Sequence, residues 1–504
     1  MTSITAMIIL IFSPLIASLL IASPLLNNEI IIRRFAKFFC IIHFLYTTIL
    51  TTCFTTNKSI EISNNNEITW IKSLGINFSL GLDTLSIVLV LLTTFIFLLT
   101  VILSKLNIRS KHKLYYSMIF LLETAILGVF CARDIFLFFL FWEIELIPMY
   151  FLISQWGDKN SSKSAYKFVL YTFIGSLFML AGLLMLHYYN FSASGILSGN
   201  MYTITSNNTQ IPMQLLISIL LLIGFGVKLP IFPLHTWLPD VHTEASTPVS
   251  ILLAALLLKL GAYGILRFNL QILPDTFQII VPVLSVLALI NIIYGGFLAY
   301  AQTDIKRIIA YSSISNMGLI LLGICALNEI GLSGALFHII GHALIVTGLF
   351  SCAGIIYLRT KTRELNKLSG LAQYMPKLFG FTTVIILAAA GVPLFMGFIG
   401  EILNIIGFIN ADNTILIKTI AIIALTIMIW ATCYLFKLLH TTFYTQSEFV
   451  PNYNVNNLKD ISNHEFLVLF LTTSAIIIFG IYPNLILDIL HNSDIFNLLT
   501  SKLW

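Results

Sequence analysis

The feature that most constrains this chain is a series of apolar stretches, each about twenty residues long, separated by short polar breaks. Hydrophobic residues make up 58% of the 504 positions and charged residues only 10%, whereas a soluble domain typically has about 25% charged residues. A soluble core could not bury this much apolar surface, so lipid must cover part of it. We therefore predict a single membrane domain over residues 1–504.

Fourteen stretches are long enough to cross a bilayer. Each is predicted to be a helix, because lipid cannot satisfy the open backbone of a strand. The predicted fold class is all-α, a polytopic bundle of about 14 transmembrane helices. The predicted spans 1 to 14 are, in chain order, Met7–Leu26, Phe35–Thr52, Leu85–Leu103, Leu114–Phe130, Ile135–Ile153, Phe168–Tyr188, Met213–Leu234, Pro248–Phe268, Ile279–Tyr300, Ile308–Leu327, Leu332–Tyr357, Leu378–Ile409, Ile415–Leu438 and Phe466–Ile486.

Basic residues are distributed unevenly among the connecting loops. The loops after odd-numbered spans, with the adjoining helix ends, hold 19 of the 27 Lys and Arg residues; we call these the odd loops. The even loops, with the C-terminal tail, hold six. The positive-inside rule places the odd loops in the cytoplasm or its equivalent, and both termini on the side that proton pumping would make positive. Because Met1–Leu26 contains no Lys or Arg, we expect a first membrane helix there and no cleaved signal peptide.

Two spans contain sequence that interrupts a helix. One runs from Lys228 to Pro233 (KLPIFP), and the other contains Gly391-Val392-Pro393 ahead of Glu401. Proline removes a backbone donor and clashes with the preceding turn. Such breaks are either packing kinks or, when paired in the two halves of a chain, the mark of a transporter with its site beside them.

Glu143, Lys228, Lys259 and Glu401 each lie well inside a predicted span. Each costs at least ~2.5–3.5 kcal/mol in mid-membrane, so each indicates a function. Lysine suits proton transfer, because desolvation lowers its pKa and a nearby carboxylate raises it again. A structural salt bridge is an alternative for Glu143 with Lys228, but it leaves Lys259 without a partner.

Further acidic residues lie near these positions. Glu145 would point about 200° away from Glu143 on a continuous helix, so only one of the two could face a given partner. Glu123 in span 4 is either structural or part of the proton path. Arg133 and Asp134 lie at a helix boundary and are expected to be caps or interface anchors.

Histidines could bridge such charges, because their pKa lies near neutrality. His235 would lie on the same face as Lys228 if the helix of span 7 continued. His338 and His342 are one turn apart on span 11 and share a face. They are either a relay or simple hydrogen-bonding groups, and a metal pair would lack an evident third ligand. His242 lies in the loop after span 7.

No cofactor motif is evident in the sequence. Gly224-Phe225-Gly226 begins like a dinucleotide fingerprint, but Leu229 takes the place of the third glycine and no strand precedes it. The six cysteines form no C-x-x-C pair. The net charge of +5 is too small to indicate nucleic acid. We expect no cofactor, metal or nucleic acid on this chain.

Several motifs resemble the antiporter-like subunits of respiratory complex I, over roughly spans 3 to 14. They are Phe141–Tyr150 (FWEIELIPMY), Lys228–Pro239 (KLPIFPLHTWLP), His242–Ala245 (HTEA), Leu256–Lys259 (LLLK) and Ala301–Arg307 (AQTDIKR) followed by Ala310–Ser313 (AYSS). Within this family the sequence is most similar to subunit 4, known as the M subunit in bacteria and the D subunit in cyanobacteria and plastids. Glu401 is the discriminator, since related subunits usually carry lysine there. The WEIELIP and HTEASTPVS stretches look closest to the cyanobacterial and plastid form.

The resemblance implies two inverted five-helix repeats, spans 4–8 (roughly residues 114–268) and spans 9–13 (roughly residues 279–438). It implies that Glu143 pairs with Lys228 and that Lys259 continues a central hydrophilic axis. Glu401 would end this axis, and His342 matches a family axis histidine; His235 and His338 complete the expected site.

Two residues depart from the family pattern. Asn316 stands where the family usually has histidine, and Leu394 where it usually has glycine. Asparagine cannot titrate, so a relay through that position would need water or His338. The connection between spans 8 and 12 is the part of the axis that these departures affect.

The resemblance implies a proton-translocating membrane-arm subunit of a complex I-type NAD(P)H- or ferredoxin:quinone oxidoreductase. The redox cofactors (FMN, iron–sulfur clusters) and the quinone would be held by other subunits. The expected partners are the neighbouring antiporter-like subunits 2 and 5 and the lipid bilayer. The expected membrane is bacterial cytoplasmic or thylakoid, with the mitochondrial inner membrane as an alternative.

Two other functions are compatible with the same charges. A stand-alone or multisubunit cation/proton antiporter would use them for exchange, although Glu401 and the lack of an extra acidic cluster for sodium argue against it. A non-pumping scaffold would use them only for packing, and it predicts that they could be neutralised without loss of coupling.

Overall fold

The computed structural model describes residues 3–56, 68–104, 108, 110–195, 197–204, 210–411, 414–444 and 458–491. Within these ranges the chain is almost entirely helical, with one antiparallel pair of short strands, β1 (Ile68–Ile71) and β2 (Ile76–Phe78). Among the basic residues used to predict orientation, four lie outside the described residues: Lys58, Lys105, Arg109 and Lys502.

Twenty α-helices follow one another along the described chain. They are α1 (Ser3–Ala22), α2 (Glu29–Thr56), α3 (Thr84–Ser104), α4 (His112–Cys131), α5 (Ile135–Ile144), α6 (Leu146–Trp156), α7 (Ser161–Ser194), α8 (Ile211–Lys228), α9 (Leu238–Glu244), α10 (Thr247–Leu252), α11 (Leu258–Gly264), α12 (Pro274–Ala301), α13 (Ile305–Cys325), α14 (Glu329–Thr360), α15 (Leu371–Tyr374), α16 (Pro376–Ala389), α17 (Met396–Ile409), α18 (Ile415–Phe443), α19 (Asn463–Ile481) and α20 (Asn484–His491). Two π-helical segments, Leu253–Leu257 and Ile265–Ile272, alternate with α10 and α11.

The predicted membrane spans correspond closely to these helices. Among the described residues, thirteen helical stretches are long and apolar enough to cross a bilayer. The remaining predicted span, span 12, is divided into the shorter apolar helices α16 and α17. The all-α prediction of about 14 transmembrane helices is therefore confirmed, and the chain is an integral membrane protein.

Two helical stretches form the centre of the bundle. In span 8, which the structure extends to Thr247–Ile272, and in α14, all residues of the most apolar stretch are buried inside the protein. In α18 only 17% of the corresponding stretch is buried. Helix α14 packs against α10, α13, α16, α17 and α19. Polar side chains on span 8 and α14 are therefore kept away from lipid. A hydrophilic axis would have to lie in this buried centre of the bundle.

The break in span 7 begins where α8 ends, at Lys228. Turns follow over residues 229–237, where two prolines prevent a continuous helix. Asn291 on α12 restores the lost hydrogen bonds: its amide nitrogen donates to the Pro230 carbonyl at 3.1 Å, and its amide oxygen accepts from the Phe232 N–H at 2.7 Å. Trp237 donates to the carbonyl just before Lys228 at 3.0 Å. The break survives in the membrane because protein groups satisfy it.

The break in span 12 separates α16 from α17 by residues 390–395. Gly391 has φ +65°, and Leu394 has φ +81°. A positive φ is unfavourable for a side chain with a Cβ, and it costs about 1–3 kcal/mol for a residue other than glycine. Glycine, which the family usually has at position 394, would adopt this backbone conformation without strain, whereas Leu394 does not. Leu394 is 69% exposed, so its bulk at least avoids a clash.

Each of the two predicted repeats contains one of these breaks. The first lies within residues 114–268 and the second within residues 279–438. The inverted relation between the two repeats stays a prediction.

Candidate functional site

Lys228 lies at the C-terminal end of α8 and is buried. It forms an ion pair with Glu145, whose side chain is also fully buried. The Lys228 ammonium lies 4.6 Å from the centre of the Trp142 ring, which adds a cation–π contact. Together these groups hold a charged lysine at a depth where an isolated ammonium would be strongly unfavourable.

The carboxylate in contact with Lys228 is Glu145, which differs from the Glu143 pairing that the family resemblance implies. Helix α5 ends at Ile144 and α6 begins at Leu146. Pro148 cannot donate to the Ile144 carbonyl, so a single regular helix cannot run through this point. Glu143 is half-buried, and it interacts with Ser176 and with the Lys228 charge. Pro148 is the sequence signal that could have indicated the break between α5 and α6.

Lys259 lies in α11 and is buried. Its ammonium donates to the Ala254 carbonyl at 2.6 Å and contacts His342 Nδ1 at 2.7 Å. His342 is therefore the partner that sequence analysis could not provide for Lys259. The other ring nitrogen of His342, Nε2, is buried and has no hydrogen-bond partner among the described residues.

His338 lies one turn before His342 on α14, with 6.4 Å between the ring centres. Its Nε2 contacts the Asn316 amide oxygen at 3.0 Å, and its Nδ1 contacts the Asn404 amide nitrogen at 3.1 Å. The asparagine that departs from the family pattern is therefore in direct contact with a titratable group. His338 therefore contacts both α13 and α17, and its place in a relay stays a prediction.

Glu401 lies in α17, buried beside the break in span 12. Its carboxylate lies so close to Gly391 that a Cβ on Gly391 would overlap it. The neighbouring Gly400 packs against His338, where an added Cβ would come within 2.8 Å of the His338 Cβ. These two glycines bring the break, Glu401 and the α14 histidines together.

The other two histidines, His235 and His242, lie between Lys228 and Lys259 in the sequence. His235 does not continue the Lys228 face, because the chain turns over residues 229–237; its ring packs 5.0 Å from the ring of Tyr294. His242, in α9, is buried and stacks on Phe350 with ring centres 4.9 Å apart. Burial, followed by the charges of Lys306 and Lys259, lowers the pKa of His242 to about 3, so this side chain is neutral at pH 7.

Lys306 is a buried lysine, although its place in the sequence groups it with the cations of the odd loops. Asp304 caps α13 by accepting from the Lys306 backbone N–H, so Lys306 lies inside the helix. The Lys306 ammonium donates to the Ala245 carbonyl at 2.5 Å. The next residue, Arg307, lines a polar groove of about 330 Å³ on the odd-loop side. Other residues of this groove are Asn160, Lys163, Lys167, Asp240 and Glu244.

Glu123 and Asp134 have separate partners. Glu123 on α4 contacts His43 Nδ1 on α2 at 2.8 Å, and His43 Nε2 contacts the Leu10 carbonyl at 3.1 Å. This pair links the first, second and fourth helices. Asp134 accepts from the backbone N–H groups of Phe136 and Leu137 at the start of α5, which confirms the expected cap.

The arrangement is a row of ionisable side chains through the protein interior. It starts at the Lys228–Glu145 pair, includes the Lys259–His342 contact, and reaches Glu401 beyond His338. Across the described ranges, no group of three or more His, Cys, Asp or Glu residues is arranged to hold a metal ion. Side chains of these types bind and release protons, so the row is suited to proton transfer.

Residues 132–448 match the model of a family described as "NADH:quinone oxidoreductase/Mrp antiporter, TM". One similar protein is "NAD(P)H-quinone oxidoreductase chain 4 1" of Picosynechococcus sp., which is 40% identical over 84% of this chain and 79% of its own. Another is "NAD(P)H-quinone oxidoreductase chain 4, chloroplastic" of Mesostigma viride, which is 40% identical over 86% of this chain and 84% of its own.

The fold is also similar to a subunit in the solved structure "Respiratory complex I from Thermus thermophilus with bound NADH". The TM-score is 0.86 at 25% sequence identity, and the match covers 98% of this chain and 99% of that one. The helical arrangement described above is therefore shared along nearly the full length of both proteins.

Proposed function

Because the chain belongs to the NADH:quinone oxidoreductase/Mrp antiporter transmembrane family, we propose that it translocates protons as a membrane-arm subunit of a complex I-type NAD(P)H- or ferredoxin:quinone oxidoreductase. The enzymatic activity belongs to the assembled complex. The electron donor, FMN, iron–sulfur clusters and quinone are held by other subunits, and this chain supplies proton transfer.

The observation that supports this function best is the row of buried charges. Lys228 contacts Glu145, Lys259 contacts His342, and Glu401 lies at the break in span 12. A buried ammonium is stabilised by a carboxylate in contact and is destabilised when that contact opens. A change in charge or hydration that originates in neighbouring subunits would therefore load or unload Lys228, and the row would pass the proton onward.

The same proposal includes partners and a membrane. The neighbours are the other membrane subunits of the complex, with the antiporter-like subunits 2 and 5 on either side. The names of the relatives from Picosynechococcus and from a chloroplast support a bacterial cytoplasmic or thylakoid membrane. The charge bias of the loops supports both termini on the electrically positive side.

The test is Lys228→Ala in the assembled complex, reconstituted in vesicles. We expect it to abolish or sharply reduce proton translocation coupled to quinone reduction. The control is Lys367→Ala, because Lys367 forms an exposed pair with Glu364 away from the interior. Full proton pumping in a purified Lys228→Ala complex would show that Lys228 does not have the proposed role.

Purification separates this function from the other two candidates. A complex I subunit co-purifies with quinone-reducing subunits, and a cation/proton antiporter exchanges sodium for protons without them. A scaffold keeps full coupling when Glu145, Lys228 and Glu401 are all replaced by neutral residues. Either of the last two results would contradict the proposed function.

A further inference from the structure

A stripe of polar residues runs along span 8 from Lys259 towards the even-loop side of the membrane. Tyr263, Arg267 and Gln271 follow Lys259 at intervals of four residues. The Arg267 guanidinium lies 5.1 Å from the centre of the Tyr263 ring and donates to the Gln271 amide oxygen at 3.1 Å. A polar stripe inside a fully buried helix is a potential path from Lys259 to that side.

The outer end of this stripe is closed by an ion pair. Arg267 pairs with Asp83, the residue just before α3, and donates to Ser86 Oγ at 3.2 Å. The Tyr202 hydroxyl donates to Asp83 at 3.2 Å. Burial raises the pKa of Asp83, but the charge and hydrogen bonds of Arg267 outweigh it and lower the pKa to about 2. Both partners are therefore charged at neutral pH.

A second arginine adds positive charge to the same place. Arg133 lies 4.7 Å from the centre of the Tyr202 ring. Arg133 and Arg267 both line the small cavity at this end of span 8. The cavity between these side chains has a volume of about 10 Å³, which is room for about one water molecule.

The opposite, odd-loop side of the chain is different. There Arg307, the residue after the buried Lys306, lines a polar groove of about 330 Å³. The charges of Lys306 and Lys259 both act on His242. The odd-loop side of the chain therefore has a wide polar groove, whereas the even-loop end of span 8 has only a narrow cavity beside two arginines.

We propose that Arg267, Asp83, Arg133, Tyr202 and Tyr263, which we call the arginine seal, form an electrostatic barrier between Lys259 and the even-loop side. A fixed positive charge in a constriction that holds almost no water repels protons. Asp83 holds Arg267 in place and compensates part of its charge. The inference rests on the proposed function, because a barrier matters only if Lys259 carries protons; it adds that Lys259 does not release them directly to that side.

Two single substitutions separate a barrier from a structural brace. Arg267→Gln and Asp83→Asn each remove the ion pair, so a brace predicts the same defect in both. A barrier predicts different effects, because Arg267→Gln removes a positive charge from the constriction, whereas Asp83→Asn leaves both arginines in place. Arg267→Lys keeps the charge with a different shape and serves as the conservative variant.

The measurement is passive proton conductance of vesicles that contain the intact complex, with electron transfer inhibited. We expect Arg267→Gln to raise the conductance attributable to the complex about tenfold, equal to about 1.4 kcal/mol in barrier height. Asp83→Asn and Arg267→Lys should stay within about twofold of the parent. If Arg267→Gln fails to assemble, Arg133→Gln should give a smaller leak of the same kind.

The matched control is Arg359→Gln, which removes an arginine paired with a buried carboxylate, Glu465, on the odd-loop side; it should not leak. Equal leaks in Arg267→Gln and Asp83→Asn, or no leak in any seal variant, would overturn the proposal. Because the leak is measured without turnover, its outcome is separate from the loss of pumping expected in Lys228→Ala.

Discussion

At the scale of single residues, the charge state of Lys228 depends on which carboxylate it contacts. A buried ammonium requires a partner, and the structure provides Glu145 in contact and Glu143 nearby. Removing one member of a buried pair leaves the other uncompensated, which costs more than removing both. The two glutamates of the WEIELIP motif should therefore differ in their contribution to stability.

Replacing Glu145 by Gln should destabilise the chain by about 3–5 kcal/mol, because Lys228 would remain buried without its contact partner. The double variant Glu145→Gln with Lys228→Gln should lose less than the sum of the two single changes. Thermal unfolding of the purified complex, with the amount of assembled chain, measures both. Glu143→Gln is the control and should have a smaller effect; a larger loss in Glu143→Gln than in Glu145→Gln would reverse the assignment.

The positions of Lys228, Lys259 and Glu401 could be predicted from the sequence, since each is an ionisable residue inside an apolar span. Lys306 could not, because it looked like one more loop cation; only the cap at Asp304 places it in a helix. Likewise, the contact of Lys259 with His342 joins residues 83 positions apart. Local patterns contain no information about such a pair.

At the scale of elements, the break in span 12 depends on close packing at one glycine. Gly391 adopts φ +65° and lies directly against the Glu401 carboxylate. A side chain there would be strained by the backbone and would displace the carboxylate. The break therefore positions Glu401 as well as interrupting the helix.

Gly391→Ala should lower both the stability of the chain and proton pumping, because the new methyl group cannot share space with the Glu401 carboxylate. Gly380→Ala, in α16, is the matched control: a Cβ there meets no atom within 4 Å, and alanine is the better helix former by about 1 kcal/mol. Unfolding temperature and coupled pumping, measured for both, distinguish the two sites. Equal behaviour of the two variants would show that the contact at Gly391 is unimportant.

Both breaks were predictable because proline and glycine have direct backbone consequences. The two π-helical segments around α11 were not, although they flank Lys259 and contain Arg267. A change from α to π geometry alters which residues share a face, and no local pattern in the sequence indicates it. The pairing of Arg267 with Asp83 joins residues 184 positions apart, so local patterns could not predict it either.

At the scale of the whole molecule, the chain has an enclosed centre and an apolar periphery. Span 8 and α14 are surrounded by protein, whereas only 22% of the most apolar stretch of α2 and 17% of that of α18 is buried. The peripheral apolar surface must be covered by lipid or by other membrane subunits. The side chains of the charged row are buried and so are kept away from lipid, as charged groups within a membrane must be.

The orientation of the chain can be measured with a membrane-impermeant maleimide. The exposed native Cys53 and Cys433 are first changed to Ser. Lys361→Cys, in an odd loop, should then react from the cytoplasm or its equivalent, whereas Lys72→Cys, in an even loop, should react only from the opposite side. The reverse pattern would contradict the predicted orientation and place the termini on the other side.

The sequence by itself determined that this is a membrane bundle of about 14 helices with broken spans 7 and 12 and buried Lys228, Lys259 and Glu401. It could do so because apolar length, proline and isolated charges are local properties. Only the tertiary structure decided that Glu145 contacts Lys228, that His342 contacts Lys259 and that Arg267 closes span 8 against Asp83. Those pairings depend on how distant helices pack, and a change of one residue in helix register would alter all of them.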